Sequence, residues 1–282
     1  MPRQLDTLDA VAGDVDAIVL DQFGVLHDGT APYPGAIRAL ERLGAAGVRL
    51  AVLSNSGKRA APNAARIAAM GFAGIRFDAV MTSGEALWRD IASGAVPGGR
   101  LCPIERAPGD AADWAAGLDV GLTDDPARAD AILLMGLPDG ADTAAAQAVL
   151  AAALARGIPV LCTNPDRAAP RAGGVTVTSP GTLAHAHAAA GGAVRFYGKP
   201  HVPVFRAVET ALGLSPDRLL MVGDSLEHDV AGARAAGWRA AFVMGGLHAR
   251  DFALPAPTAP TLTRLAAAAA APLPDFTLPE LR

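Results

Sequence analysis

The chain has 282 residues and carries 24 Lys and Arg against 28 Asp and Glu, a net charge of -4. A single core stops growing at about 250–300 residues, so two folding units are expected, and the slightly acidic balance lacks the basic footprint of a nucleic-acid binder or a membrane-surface protein. The mean hydropathy of +0.28 comes from abundant Ala, no apolar stretch approaches the roughly 20 residues of a membrane span, and the start lacks the charged head and apolar stretch of a secretory signal; no nucleic acid, no membrane and a cytoplasmic location are therefore expected.

Asp16 to Leu20 reads as a first strand, followed by a loop through His27-Asp28-Gly29 and a helix from Gly35 to Ala46. Gly47 stops that helix, as glycine commonly does just past a helix end. Val48 to Leu53 makes a second strand, Ala60 to Met70 a helix ended by Gly71, and Ala79 to Thr82 a third strand. A second α/β series then begins, with strands expected at Leu101–Ile104, Val120–Leu122, Ala131–Met135 and Pro159–Cys162 between Ala-rich helices. Thr82-Ser83-Gly84 and Gly191-Gly192-Ala193 mark its edges, so residues 84–190 are expected to form an inserted domain, with 1–83 and 191–282 forming the other. The return begins with Arg195-Phe196-Tyr197-Gly198, continues through a helix at Val204–Leu212, a strand at Leu219–Val222 and a helix through Gly232-Ala233-Arg234, and reaches a strand at Ala240–Met244. Ala266 to Ala271 reads as helix former. The proline spacing from Pro272 to Pro279 excludes helix, and this tail reads as a surface strap or disordered segment. Strands alternating with helices argue for a parallel sheet covered on both faces. Cys102 and Cys162 show neither metal-ligand spacing nor a disulfide framework and read as reduced, partly buried thiols; Trp88, Trp114 and Trp238 read as packing residues.

Two apolar runs far apart in sequence end in carboxylates. Ala17-Ile18-Val19-Leu20 runs into Asp21, and Leu219-Leu220-Met221-Val222 into Gly223, Asp224 and, later, Asp229. Ligands of open α/β sheets bind outside the carboxyl ends of the strands, so neighbouring strands would hold Asp21, Asp224 and Asp229 in one crevice. Three carboxylates that close repel unless a cation sits among them; oxygen ligands of this kind suit Mg²⁺, bound through a few carboxylates and a substrate phosphate. Taken singly, each residue also has a plainer role. Asp21 can cap the loop after its strand, Asp224-Ser225 can cap the following helix, and Lys58-Arg59 can be a solvated helix start.

The order Asp21-x-x-Gly24-Val25, Ser54-Asn55 after an apolar run, Lys199-Pro200, and Gly223-Asp224-Ser225-x-x-x-Asp229 resembles the four motifs of the haloacid dehalogenase (HAD) superfamily. The segments from Thr82-Ser83-Gly84-Glu85 through Asn164-Pro165-Asp166 to Gly198-Lys199-Pro200-His201 resemble its subclass IIA, the sugar-phosphate and nitrophenyl-phosphate phosphatases. The resemblance spans nearly the whole chain. It implies an α/β fold, a doubly wound, Rossmann-like parallel core with an inserted α/β C2-type cap that selects the substrate. Asp21 would be the nucleophile that forms an aspartyl-phosphate. Asp224 would bind Mg²⁺ directly, Asp229 through water or by orienting Asp224, and the backbone carbonyl of Phe23 would supply a third protein oxygen. Ser54, Asn55 and Lys199 would hold the phosphate, and Lys58, Asn164 and Asp166 are candidates for contact with the substrate.

One position departs from the pattern. The family's second residue after the nucleophile is usually an Asp that protonates the leaving group, and here it is Phe23. Metal binding through the backbone is spared by that change; proton transfer is not. His27, in the same loop, could relay a proton, although it and Asp28 also suit a turn closed by Gly29. The leading expectation is a Mg²⁺-dependent phosphatase or phosphotransferase acting on a small phosphorylated metabolite. Two others stand beside it: a metabolite-binding or regulatory protein with weak or lost turnover, and a metal-independent dehalogenase, whose members also lack the second acid. Subclass IIA proteins often associate through their caps, which makes a homodimer through the cap a further expectation.

Overall fold

The structure, a computed structural model, describes residues 1–138, 140, 142–170, 176–253 and 258–282. In chain order its elements are β1 (Arg3–Gln4), β2 (Ala17–Leu20), α1 (Ala36–Ala45), β3 (Arg49–Ser54), α2 (Ala60–Ile67), β4 (Ala79–Thr82), α3 (Ser83–Ala92), β5 (Gly99–Ile104), α4 (Asp110–Ala115), β6 (Val120–Leu122), β7 (Ala131–Leu134) and α5 (Ala144–Arg156). They continue with β8 (Val160–Cys162), β9 (Ala168–Pro170), β10 (Thr176–Thr178), α6 (Pro180–Ala189), β11 (Val194–Phe196), α7 (Val202–Leu212), β12 (Leu219–Gly223), α8 (Ala231–Ala236), β13 (Arg239–Val243), α9 (Thr258–Ala268) and β14 (Phe276–Leu278). No helix among the described residues is long and apolar enough to cross a membrane.

The chain divides into two compact units: residues 1–54, 61–81 and 199–282, and residues 55–60 and 82–198. The first holds a seven-stranded sheet in the order β1-β14-β13-β12-β2-β3-β4. β12 pairs in parallel with β2, Leu219 opposite Ala17 and Val222 opposite Leu20, and β2 pairs in parallel with β3, Leu20 opposite Val52. Every residue of β2 and β12 is buried, which is why both read as continuous apolar runs instead of alternating ones. The chain steps outward from β2 through β3 to β4, and in the other direction from β12 through β13 to β14. The strand order therefore reverses between β2 and β12, the position at which open α/β sheets bind ligands.

The second unit has its own core around Ile132, Leu134, Val160 and Cys162 and a five-stranded sheet in the order β11-β8-β7-β5-β6. A two-stranded antiparallel pair, β9 with β10, also belongs to it and was absent from the sequence reading. Cys102 and Cys162 are buried free thiols in this unit, and burial pushes Cys162 up to about 12.

Four expectations need correction. The return to the first unit comes at Lys199, not at residue 191. Val194–Phe196, assigned by sequence to the first unit, is β11 and pairs in parallel with β8, because Val194 and Phe196 pack on the second core. The Gly191-Gly192 pair serves instead to end α6: Gly191 has φ +89°, and a Cβ on Gly192 would lie 2.1 Å from His187 Nε2. Residues 55–60 likewise sit in the second unit, where the Gly84 amide donates to Ser56 O at 3.1 Å and Arg59 pairs with Glu85 at 2.7 Å.

The tail is neither strap nor disordered. Phe276–Leu278 is a buried strand paired in parallel with β13 and β1. Prolines 274 and 279 forbid a helix but leave three strand-favouring residues between them, and Pro279, with no N–H, ends the ladder where its carbonyl accepts from Gly245 at 2.7 Å. Finally, α9 stops at Ala268 inside the alanine run, and Ala270 takes φ +49°.

Candidate active site

Asp21 follows β2 directly, and its amide extends the ladder by donating to Val222 O at 2.9 Å. Asp224 follows β12 in the same way, so register alone brings both carboxylates to one edge of the sheet at the reversal of strand order. Gly24, with φ +84°, belongs there because Asp224 fills its side-chain space: a Cβ on Gly24 would lie 1.7 Å from Asp224 Oδ2. A Cβ on Gly246 would lie 2.3 Å from the same oxygen, and one on Gly223 would lie 2.1 Å from Asp229 Cγ. Three glycines thus clear room for two carboxylates.

Ser225 caps the helical turn over Leu226–Val230, its Oγ accepting from the His228 amide at 3.1 Å. Capping therefore falls to Ser225 and not to Asp224, whose Oδ2 accepts from the Leu247 amide at 2.7 Å. The same turn carries Asp229 back beneath the strand end, where its Oδ2 accepts from the Ser225 amide at 3.0 Å. Asp229 Oδ1 lies 2.6 Å from Lys199 Nζ, and Lys199 Nζ lies 2.7 Å from Asp21 Oδ1. Lys199, only 3 % exposed, is thus clamped between two carboxylates. Carboxylate oxygens of Asp21, Asp224 and Asp229 all lie within 4.8 Å of one another.

The charges do not balance. Three carboxylates face one ammonium in a buried setting. Burial, together with Asp21 and Asp229, pushes Asp224 up to about 8, opposed by the Leu247 amide and Lys199. Burial also raises Asp21, with Asp229 adding to it and Lys199 opposing. For Lys199 burial favours the neutral form, but its two carboxylate partners outweigh that and raise its pKa. A set of hard oxygen donors short of positive charge, given room by three glycines, fits a divalent cation.

The other sequence candidates separate by unit. Ser54 ends β3 beside Asp21's strand in the first unit. Asn55 lies in the second, where its Nδ2 donates to Asp166 Oδ1 at 2.6 Å, and the Asp166 amide donates to Asn164 Oδ1 at 3.0 Å. Lys58 is exposed and pairs with Asp110 at 3.0 Å in that unit. Phe23 is half-exposed, and His27 is buried, with Nδ1 accepting from the Gly29 amide at 3.0 Å and Nε2 lacking a hydrogen-bond partner among the described residues. Burial and the nearby Arg66 charge lower the His27 pKa, with Asp21 and Asp28 opposing. Gly246 and the Leu247 amide were missed; the Gly245-Gly246 pair just past a strand ending at the same sheet edge was the available signal.

A model described as Haloacid dehalogenase-like hydrolase matches residues 18–102, and one described as HAD-hydrolase-like matches residues 196–268. Chronophin from Rattus norvegicus is 30 % identical over 249 residues, 84 % of this chain and 79 % of that one. Glycerol-3-phosphate phosphatase from Gallus gallus is 32 % identical over 257 residues, covering 80 % and 78 %. The chain belongs to the haloacid dehalogenase-like hydrolases. Among solved structures, a hydrolase of the haloacid dehalogenase-like family from Brucella suis 1330 superposes with a TM-score of 0.78 at 28 % identity, covering 99 % of this chain and 100 % of that one. This HAD hydrolase is an enzyme of the phosphatase type.

Proposed function

We propose that this HAD hydrolase is a Mg²⁺-dependent phosphatase or phosphotransferase acting on a small phosphorylated metabolite through an aspartyl-phosphate on Asp21. The observation that carries the reading is the clamp of Lys199 between Asp21 and Asp229, with Asp224 alongside, at the reversal of strand order. The name of the Gallus gallus relative, a glycerol-3-phosphate phosphatase, supports a small phosphate ester as substrate.

Asp21 attacks phosphorus, the bond from Oδ to phosphorus forms, and the bond to the leaving oxygen breaks with its electron pair on that oxygen. Water then attacks that phosphorus, the bond from Oδ to phosphorus breaks with its electron pair on Asp21, and inorganic phosphate leaves with the carboxylate restored. Lys199 opposes the burial that raises the Asp21 pKa and adds positive charge where the phosphoryl oxygens gather. Asp21, Asp224 and the Phe23 carbonyl would hold Mg²⁺, with Asp229 outside them, and the bound ion would neutralise charge on the phosphoryl oxygens. Ser54 and Asn55 are proposed to bind phosphate oxygens, and Lys58, Asn164 and Asp166 to contact the substrate. Association of two chains through the cap is proposed as well.

Phe23 cannot protonate a leaving group, and losing a general acid typically slows a reaction by roughly 10² to 10⁴-fold. Activated esters suffer least. The test is phosphate release from 4-nitrophenyl phosphate and from a panel of phosphorylated metabolites, with and without Mg²⁺. Release that requires Mg²⁺ and vanishes in Asp21→Asn is expected; no release from any substrate by folded protein would remove the proposal. Phe23 also favours a second reading, a metabolite-binding member with little turnover, which calorimetric binding without phosphate release would establish. Halide release that survives chelation would point to a dehalogenase instead.

A further inference from the structure

Two of the large apolar side chains left exposed among the described residues belong to the loops that pack on Asp224. Phe23 is 48 % exposed and Leu247 is 65 % exposed. Singly exposed apolar residues are ordinary; their placement is what matters here. The loops that carry them meet over Asp224. A Cβ on Gly246 would lie 2.3 Å from Asp224 Oδ2 and 2.7 Å from Gly24 O, and the Leu247 amide donates to Asp224 Oδ2 at 2.7 Å. Phe23 precedes Gly24 and Leu247 follows Gly246, so the two residues flank one backbone junction, and Phe23 stands two residues along the chain from Asp21. The Phe23 ring has a seat of its own: it stands edge-on to His27 with centroids 6.4 Å apart, and a Cβ on Gly29 would come within 3.2 Å of it.

We propose that Phe23 and Leu247 form a leaving-group subsite that takes an aromatic or comparably apolar group esterified to the phosphoryl unit. The proposal rests on the phosphoryl-transfer reading above and adds to it a specificity device inside the first unit. Two physical arguments converge on it. With Phe23 in place of an acid, the leaving oxygen departs carrying its electron pair unprotonated, which a phenolate tolerates far better than an alkoxide. An aryl group also gives the exposed Phe23 ring an edge-to-face or offset partner and covers Leu247, a gain that a small polar leaving group does not provide.

The test uses two non-hydrolysable dianions, so that turnover does not enter. Benzylphosphonate replaces the bridging oxygen of phenyl phosphate by CH₂, and methylphosphonate offers the same phosphoryl group without the ring. Calorimetry on the full chain with Mg²⁺ is expected to show benzylphosphonate binding at least about tenfold more tightly, a preference of the size that a few apolar carbons give in a pocket. Leu247→Ser keeps the amide on Asp224 and is expected to remove most of that preference, with Phe23→Ser removing the rest. Circular dichroism checks that both variants fold. Equal affinity for the two phosphonates in the wild type, or a preference untouched by both variants, overturns the subsite while leaving the phosphoryl reading standing. Absence of binding by both phosphonates overturns the subsite and the phosphoryl reading together.

Discussion

Lys199 Nζ sits within 2.7 Å of Asp21 and 2.6 Å of Asp229 while itself almost fully buried. Lys199→Met removes the counter-charge from two carboxylates, and breaking a buried pair from one side costs about 3–5 kcal/mol. A loss of that size in urea denaturation of the metal-free protein is the expected result. Asp224 gives a pH dependence with a definite sign. Its folded pKa is raised to about 8 above the ordinary carboxylate value, so between about pH 4 and pH 8 the folded state keeps a proton that the unfolded state has lost. That contribution to stability is complete below the unfolded pKa and is lost as pH rises through the folded one. Metal-free protein is therefore expected to lose stability from this group between pH 5 and 8, in the same range where Mg²⁺ competes with the proton more successfully. Thermal melts with and without Mg²⁺ should show a larger stabilisation by the ion at pH 8 than at pH 6. Phe23→Asp would return an acid to its usual place, and a gain of roughly 10²-fold on an alkyl phosphate is expected in steady-state assays, with a smaller gain on 4-nitrophenyl phosphate.

Among the elements, β14 has the most to say about how the first unit is finished. Leu278 is fully buried and Phe276 nearly so, whereas Leu273, just before them, is 38 % exposed. Leu278→Ala is expected to cost about 3 kcal/mol in chemical denaturation, and Leu273→Ala to stay within about 0.5 kcal/mol. The sequence showed β2 and β12 plainly because both are buried on both faces and end in acid, and it showed α1 and α2 through the glycines that stop them. It did not show β14 or β11. A three-residue strand carries too few side chains for a period to register, and proline spacing at one and a glycine pair before the other pointed to other structure. Which sheet β11 joins depends on where Val194 and Phe196 find a core, a tertiary fact. The carboxylate cluster was legible because strand ends and their next residues coincide in a parallel sheet. The Asp229–Lys199 clamp and the Leu247 amide on Asp224 were not, since they depend on how a turn folds back.

For the whole molecule, membership of the haloacid dehalogenase-like hydrolases and the acidic cluster at the reversal of strand order support the same chemistry, and Phe23 is proposed to narrow the esters on which it works. The claim at the centre is that Asp21 itself becomes phosphorylated. Acid quenching of the enzyme during turnover of radiolabelled aryl phosphate with Mg²⁺, followed by peptide mapping, tests it directly. Label that hydroxylamine removes, found on the peptide containing Asp21 and missing from Asp21→Asn, is the predicted result. Phosphate release with no label on that peptide, or label carried by another residue, would contradict the account.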